Sequence, residues 1–199
     1  FIMEGREEDL VEKIATVIET DPTITICSPE DFESHFLDEL KRDYEIVTEL
    51  RKRWSKVTVD PKLDEFTRRI ESELLNKEIN PQQKLVVFSE SKETTGYLTR
   101  ALQNAGRNDV LEVHAGNRDN LRDTIKHNFD ANIPRDQYKS DYQIIICTEV
   151  LAEGINLHRS NVIVNYDTPW NSTRLMQRIG RVNRIGTEAD EIHVFNFYP

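Results

Sequence analysis

The sequence predicts an α/β domain with a doubly wound, mostly parallel sheet and helices on both faces, preceded by an α-helical segment. Three observations carry this. Continuous apolar runs such as Leu85-Val86-Val87-Phe88 and Ile144-Ile145-Ile146 read as strands covered on both faces. Such runs alternate with stretches whose apolar residues recur at helical spacing, the pattern of a parallel sheet wrapped by helices. The residues before position 81 show only the helical spacing.

In chain order, Leu10, Ile14 and Val17/Ile18 mark a first helix. Ser28-Pro29-Glu30-Asp31 is a helix start: Ser at the cap, Pro in the first turn, acids beside the positive end of the dipole. Phe32, Phe36, Leu40, Tyr44, Val47, Leu50 and Trp54 then form one apolar stripe on a helix of about 25 residues, and its aromatic members are expected to be packed. Its end, Arg51, Lys52, Arg53 and Lys56, is basic, which suits the dipole. A further helix starts near Asp60-Pro61, with Leu63, Phe66, Ile70 and Leu74 facing inward. The pattern changes at Asn80-Pro81. Strands follow at 85–88, 110–113, 142–147, 161–166 and 192–197, with helices at 92–105, 119–130 and 171–184. The expected division is therefore an acidic helical linker or insertion, 1–80, and an α/β domain, 81–199. In such sheets ligands gather at the carboxyl ends of the strands.

Composition bounds the function. The 199 residues suit one domain with an appended helical piece, and 37% hydrophobic content with 8% aromatics argues against wholesale disorder. No apolar run approaches the roughly 18–20 residues of a membrane span. The start, Phe1-Ile2-Met3-Glu4-Gly5, lacks the pattern of a signal peptide. It also lacks an initiator Met, so a fragment of a longer protein is expected. Cys27 and Cys147 are too few and too far apart for a disulfide framework or a zinc site. No metal site is expected, and two reduced thiols fit a cytoplasmic protein. The net charge of −10 is uneven: residues 1–80 hold 12 Lys+Arg against 21 Asp+Glu, and residues 81–199 hold 14 against 15. A simple basic nucleic-acid binder is excluded, whereas a local phosphate-facing surface is not.

The most informative stretch is Gln177-Arg178-Ile179-Gly180-Arg181-Val182-Asn183-Arg184-Ile185-Gly186. Arg178, Arg181 and Arg184 stand three residues apart along one side of a helix, and Arg174 extends the row. Stacked guanidiniums repel unless something anionic faces them. Spacing alone leaves two readings: a solvated or carboxylate-paired basic face, or a clamp whose planar forks engage phosphoryl oxygens.

The motif Gln-Arg-x-Gly-Arg-x-x-Arg resembles the last signature of superfamily-two helicases and translocases. Other blocks follow in the same order: Leu85-Val86-Val87-Phe88-Ser89; His114-Ala115-Gly116 with Arg122 and Phe129; Thr148-Glu149-Val150 with Glu153-Gly154-Ile155-Asn156-Leu157; and Asp167-Thr168-Pro169-Trp170-Asn171. Together they resemble the second, carboxyl-terminal RecA-like lobe over 81–199. Gly-Ile-Asn-Leu and the closing Arg-Ile-Gly point to the Swi/Snf-like group of duplex-DNA translocases, in its bacterial form. Gly180 and Thr187 stand where many Swi/Snf proteins have Asp and Gln, and Glu153 stands where DEAD-box proteins have Arg.

The resemblance implies roles. Arg181 and Arg184 would be arginine fingers, reaching the γ-phosphate of ATP held by an N-terminal RecA-like lobe of the same protein. Gln177, Gly154, Asn156 and Arg178 would contact the nucleotide or brace neighbouring motifs. Ser89, Lys92, Arg122 and Thr148 would face the sugar-phosphate track, most simply double-stranded DNA, or brace the loops that do, and Trp170 would lie between the nucleic acid and the ATP cleft. Trp170 as a core aromatic remains an equal alternative, and His114 and His193 read as loop or core residues. The sequence contains no GxxxxGK[ST] phosphate cradle and no Asp-Glu-x-His-like acid pair. ATP with its Mg²⁺ would be held mostly by the missing lobe, and this chain alone is expected to be inactive as an ATPase. Two alternatives stand beside the motor: a non-catalytic helicase-like scaffold working through its acidic helices, and a nucleotide-binding regulator without motion.

Overall fold

Five strands form the sheet in the computed structural model, which describes residues 16, 21, 23, 27–149 and 155–198. They are β1 (Leu85–Phe88), β2 (Val110–Val113), β3 (Ile144–Cys147), β4 (Val162–Asn165) and β5 (His193–Asn196), in the order β2-β3-β1-β4-β5. Every pairing is parallel. The register aligns Phe88 with Cys147 and Asn165, Val113 with Cys147, and Asn165 with Asn196, so all five carboxyl ends lie in one row. The chain leaves β1 toward the β2 edge but leaves β4 toward the β5 edge. This reversal opens a crevice at the carboxyl ends of the central strands.

Alternation along the strands divides the core into two layers. Leu85, Val87, Ile144, Ile146, Val162 and Val164 point to one face and meet Leu98 and Leu102 of helix α3 (Lys92–Asn104). On that face they also meet Phe66 of helix α2 (Pro61–Arg69), with Ile70 and Leu74 of the π-turn that continues it. Val86, Phe88, Ile145, Cys147 and Ile163 point to the other face. They meet Ile125 and Phe129 of helix α4 (Arg118–Phe129) and Val182 of helix α5 (Ser172–Val182).

The caps follow the side chains. Asp60, before Pro61, accepts from the Leu63 amide at 3.0 Å, Ser91 accepts from Thr94 at 3.0 Å, and Asn171 accepts from Thr173 at 2.8 Å. The expected strands and helices from 81 onward are all present, within two residues at most of their ends.

The chain divides into two compact units, Phe1–Thr58 and Val59–Pro199. Phe66, Ile70, Leu74 and Leu75 are buried in the sheet's core. The unit holding the sheet therefore begins before position 81, because α2 supplies part of one covering layer. In the first unit, Ser28–Asp31 is not the start of the long helix. The Asp31 carboxylate accepts from the Ser28 amide at 2.6 Å, closing a separate 3₁₀ turn at Pro29–Asp31. The helix proper, α1 (Phe36–Trp54), begins five residues later. Its apolar stripe is exposed and not packed as the spacing predicts: no residue of α1 is buried, and Trp54 is 78% exposed. Phe32 and Phe36 stack on each other with centroids 4.6 Å apart. The helix predicted on Leu10, Ile14 and Val17/Ile18 lies outside the described residues. No helix among the described residues is long and apolar enough to cross a membrane.

Candidate functional site

The residues following the aligned strand ends are Ser89, His114, Thr148 and Tyr166. Around them the crevice holds a connected polar network centred on Arg178 of α5. The Arg178 guanidinium is fully buried. Nε donates to Glu149 Oε1 at 2.8 Å, Nη1 donates to Asn165 Oδ1 at 2.8 Å and to the Asp167 carbonyl at 2.9 Å, and Nη2 pairs with Glu149. The cation also lies 5.2 Å from the centroid of the Phe88 ring. Asn165 in turn donates from its amide nitrogen to Asn196 Oδ1 at 2.9 Å, tying β4 to β5.

Asp167 is the second centre. Its Oδ2 accepts from the Ser89 hydroxyl at 2.6 Å and from the Glu90 amide at 3.3 Å. Its Oδ1 lies 3.5 Å from Lys62 Nζ on α2, and that ammonium also sits over the Tyr166 ring. The loops after β1, β3 and β4 are thus cross-linked through side chains.

These contacts redistribute the predicted roles. Arg178 spends its fork inside the protein, where it fixes α5 against β3 and β4. Its guanidinium is enclosed by protein on every side, with no surface left to solvent. Ser89 is buried and donates its hydroxyl to Asp167, so it stabilises the β1 loop from within. Lys92 and Thr148 do come together, in an open cleft of about 390 Å³ lined also by Glu90, His114, Ala115, Gly116 and Glu149. His114 Nδ1 accepts from the Gly116 amide at 3.0 Å, which shapes the rim of that cleft. Trp170 is fully exposed, which removes the core reading of that residue. Gln177 is exposed on α5.

Arg122 stands apart from the Lys92–Thr148 cleft. It lines a polar cleft of about 430 Å³ with Asp123, Lys126, Asp130, Ile155 and Asn156. Arg184, exposed in the turn after α5, donates from Nη1 to Asn156 Oδ1, so Asn156 joins this cleft to the arginine helix. Arg181 is half-buried, and its carbonyl accepts from the Leu157 amide at 3.0 Å, fastening the segment after β3 to α5. Gly154 lies outside the described residues, as do Val150 and Glu153 of the same block. Among the described residues no group of three or more His, Cys, Asp or Glu could hold a metal ion.

Sequence reasoning missed the partners of the arginine row. Glu149, Asn165 and Asp167 carried a weak signal, since each follows or ends a buried apolar strand, where an unexplained polar residue asks for a partner. Lys62 carried none, because its contact with Asp167 spans a long separation in sequence.

Comparison with known proteins bears on what this crevice does. Residues 67–186 match the family model of the helicase conserved C-terminal domain. An uncharacterized ATP-dependent helicase of Bacillus subtilis, YqhH, is 38% identical over 113 residues, covering 57% of this chain and 18% of the relative. The ATP-dependent RNA helicase DBP2 of Gibberella zeae is 30% identical over 152 residues, 76% of this chain and 23% of the relative. The chain thus spans about a fifth of the length of these relatives. Among solved structures, the C-terminal part of the Fun30 ATPase domain superposes with a TM-score of 0.52 at 18% identity, over 78% of this chain and 48% of that one. That likeness identifies the doubly wound sheet as RecA-like.

Proposed function

The chain belongs to the helicase conserved C-terminal domain family, and from that premise we propose that it is the second motor lobe of an ATP-driven nucleic-acid translocase. In this reading a companion RecA-like lobe of the same protein holds ATP and Mg²⁺. Arg181 and Arg184 meet the γ-phosphate from the other side of the cleft, where they stabilise charge developing during phosphoryl transfer. One observation carries the proposal: the arginine row is divided in environment. Arg178 is consumed by Glu149, Asn165 and Asp167 within the protein, while Arg184 stands exposed at the end of the helix that Arg178 fixes. A solvated basic face needs no buried anchor, and a fully carboxylate-paired row leaves no exposed end.

Asn156 orients Arg184, and Gln177 and Gly154 complete the nucleotide side. Lys92, Thr148 and Trp170 contact the track, with Ser89 holding the β1 loop in shape and Arg122 adding charge from the neighbouring cleft. Duplex DNA is the proposed track, supported by the Gly-Ile-Asn-Leu and Arg-Ile-Gly patterns. ATP binding closes the two lobes and hydrolysis releases them, so that alternating grips move the motor along the backbone.

The test uses the full-length protein. Arg181→Ala should abolish ATP turnover while nucleotide binding, followed with a fluorescent ATP analogue, is largely kept. Unchanged turnover would defeat the proposal. Stimulation of the wild type by duplex DNA in preference to duplex RNA checks the track.

A further inference from the structure

We propose that Asp130, acting through Asn156, is a positioning residue for Arg184. The inference rests on the reading of Arg184 as an arginine finger. Arg184 lies beyond the last turn of α5, where nothing in a helix restrains a long side chain, and holding it in one pose costs rotamer entropy. The structure supplies that restraint by a relay. Arg184 Nη1 donates to Asn156 Oδ1, and Asn156 Nδ2 donates to Asp130 Oδ2 at 3.3 Å. The two partners fix which way the amide faces, because a guanidinium requires its oxygen and a carboxylate requires its nitrogen.

Asp130 is itself held. It follows the last turn of α4, its amide donates to the Lys126 carbonyl at 3.1 Å, and its Oδ1 accepts from the Asn132 amide at 2.9 Å. The buried ring of His158 closes its far side, with Nδ1 at 3.6 Å. The backbone of Arg184 is fixed independently. Its amide donates to Thr187 Oγ1 at 3.1 Å. Gly186, at φ +99°, lets the turn lie close to His158, whose Nε2 would be 3.5 Å from an added Cβ.

A neutral amide between the two charges has a consequence. A direct Arg184–Asp130 pair would hold the finger with a charge-assisted bond that an incoming phosphate must break. The amide gives a weaker, directional contact, so Arg184 is aimed while its charge stays available. Arg122 and Lys126 line the same cleft and raise its positive potential, and Asp123 and Asp130 offset it.

The test has two parts. In this chain, NMR of the arginine side-chain N–H groups should show slowed guanidinium rotation for Arg184, identified by its loss in Arg184→Lys. Asp130→Ala and Asn156→Ala should remove that slowing, and Asp130→Asn, whose amide oxygen can still accept from Asn156, should keep it. In the full-length protein, Asp130→Ala should lower kcat about tenfold with KM for ATP nearly unchanged. Asp130→Asn should recover most of that loss at an equal melting temperature. Wild-type kcat in Asp130→Ala beside an inactive Arg184→Ala overturns the proposal and leaves the motor reading standing. Full turnover in Arg184→Ala removes the finger reading, and the proposal with it. A kcat loss in Asp130→Ala that only tracks a lower melting temperature, with Asp130→Asn equally impaired, also overturns it.

Discussion

The Arg178 guanidinium is shared among Glu149, Asn165 and the Asp167 carbonyl, all within the protein. Its regular place in the arginine row gives no hint that its surroundings differ from those of Arg184. The difference comes from helix geometry: the inward edge of α5 carries Arg178 with Val182, and both are fully buried. Replacing Arg178 with Met keeps the volume but strands Glu149 and Asn165. Asn165 is left buried without its donor while Glu149 stays partly open to water, so we expect a loss of about 1–3 kcal/mol in chemical denaturation, together with loss of turnover in the full-length protein.

Lys84 is a second buried cation, at the opposite end of β1. Its ammonium donates to the Tyr142 carbonyl and sits 5.1 Å from the centroid of the Phe129 ring. Burial, aided by the nearby Arg159 charge, pushes its pKa down to about 8. The unfolded chain keeps the proton to higher pH than the folded one. Stability therefore rises as pH passes upward from about 8 toward 10, by about 2–3 kcal/mol, and the penalty is fully present below 8. Denaturation midpoints across that range should climb in the wild type, and this increment should be missing in Lys84→Met. Above pH 10 the buried Tyr166 hydroxyl, whose pKa burial raises, opposes the trend.

At the scale of elements, the α/β part was legible because its strands are short, continuous and apolar, flanked by cap residues whose chemistry is local. Asn171 before α5 and Ser91 before α3 each accept from a backbone amide two or three residues on, an interaction the sequence contains by itself. The division at Asn80-Pro81 was less legible, since α2 has the amphipathic spacing of a linker helix yet buries Phe66 against Tyr166 and Phe197. Periodicity tells which face of a helix is apolar, not what covers it. The same limit applies to α1, whose stripe predicted packing and is exposed. Because Leu40 and Val47 are both more than half exposed, Val47→Glu should change the stability of this chain by no more than about 0.5 kcal/mol. Thermal unfolding monitored by circular dichroism checks this.

For the whole molecule, the family is legible in an ordered set of motifs whose pieces are separately weak. The sheet explains the order: parallel strands bring every second loop to one edge, so Ser89, His114, Thr148 and Tyr166 converge although they are scattered along the chain. What the motifs could not give was the division of labour at that edge, which depends on the long-range partners Lys62, Glu149 and Asp167. Charge sets a further expectation. With a net charge of −10, this chain alone should bind duplex DNA more weakly than about 10 μM at physiological salt, with affinity falling steeply as salt rises. Fluorescence anisotropy with a labelled duplex measures it, and tight binding at 150 mM salt, roughly the physiological level, would contradict the expectation.

The most direct measurement of the central claim is a structure of the full-length protein with ADP, Mg²⁺ and a metal-fluoride mimic of the transferring phosphoryl group. The account predicts the guanidiniums of Arg181 and Arg184 within hydrogen-bond distance of the fluoride, with Arg178 still held by Glu149, Asn165 and Asp167. A closed, nucleotide-filled cleft in which neither Arg181 nor Arg184 approaches the fluoride would contradict it.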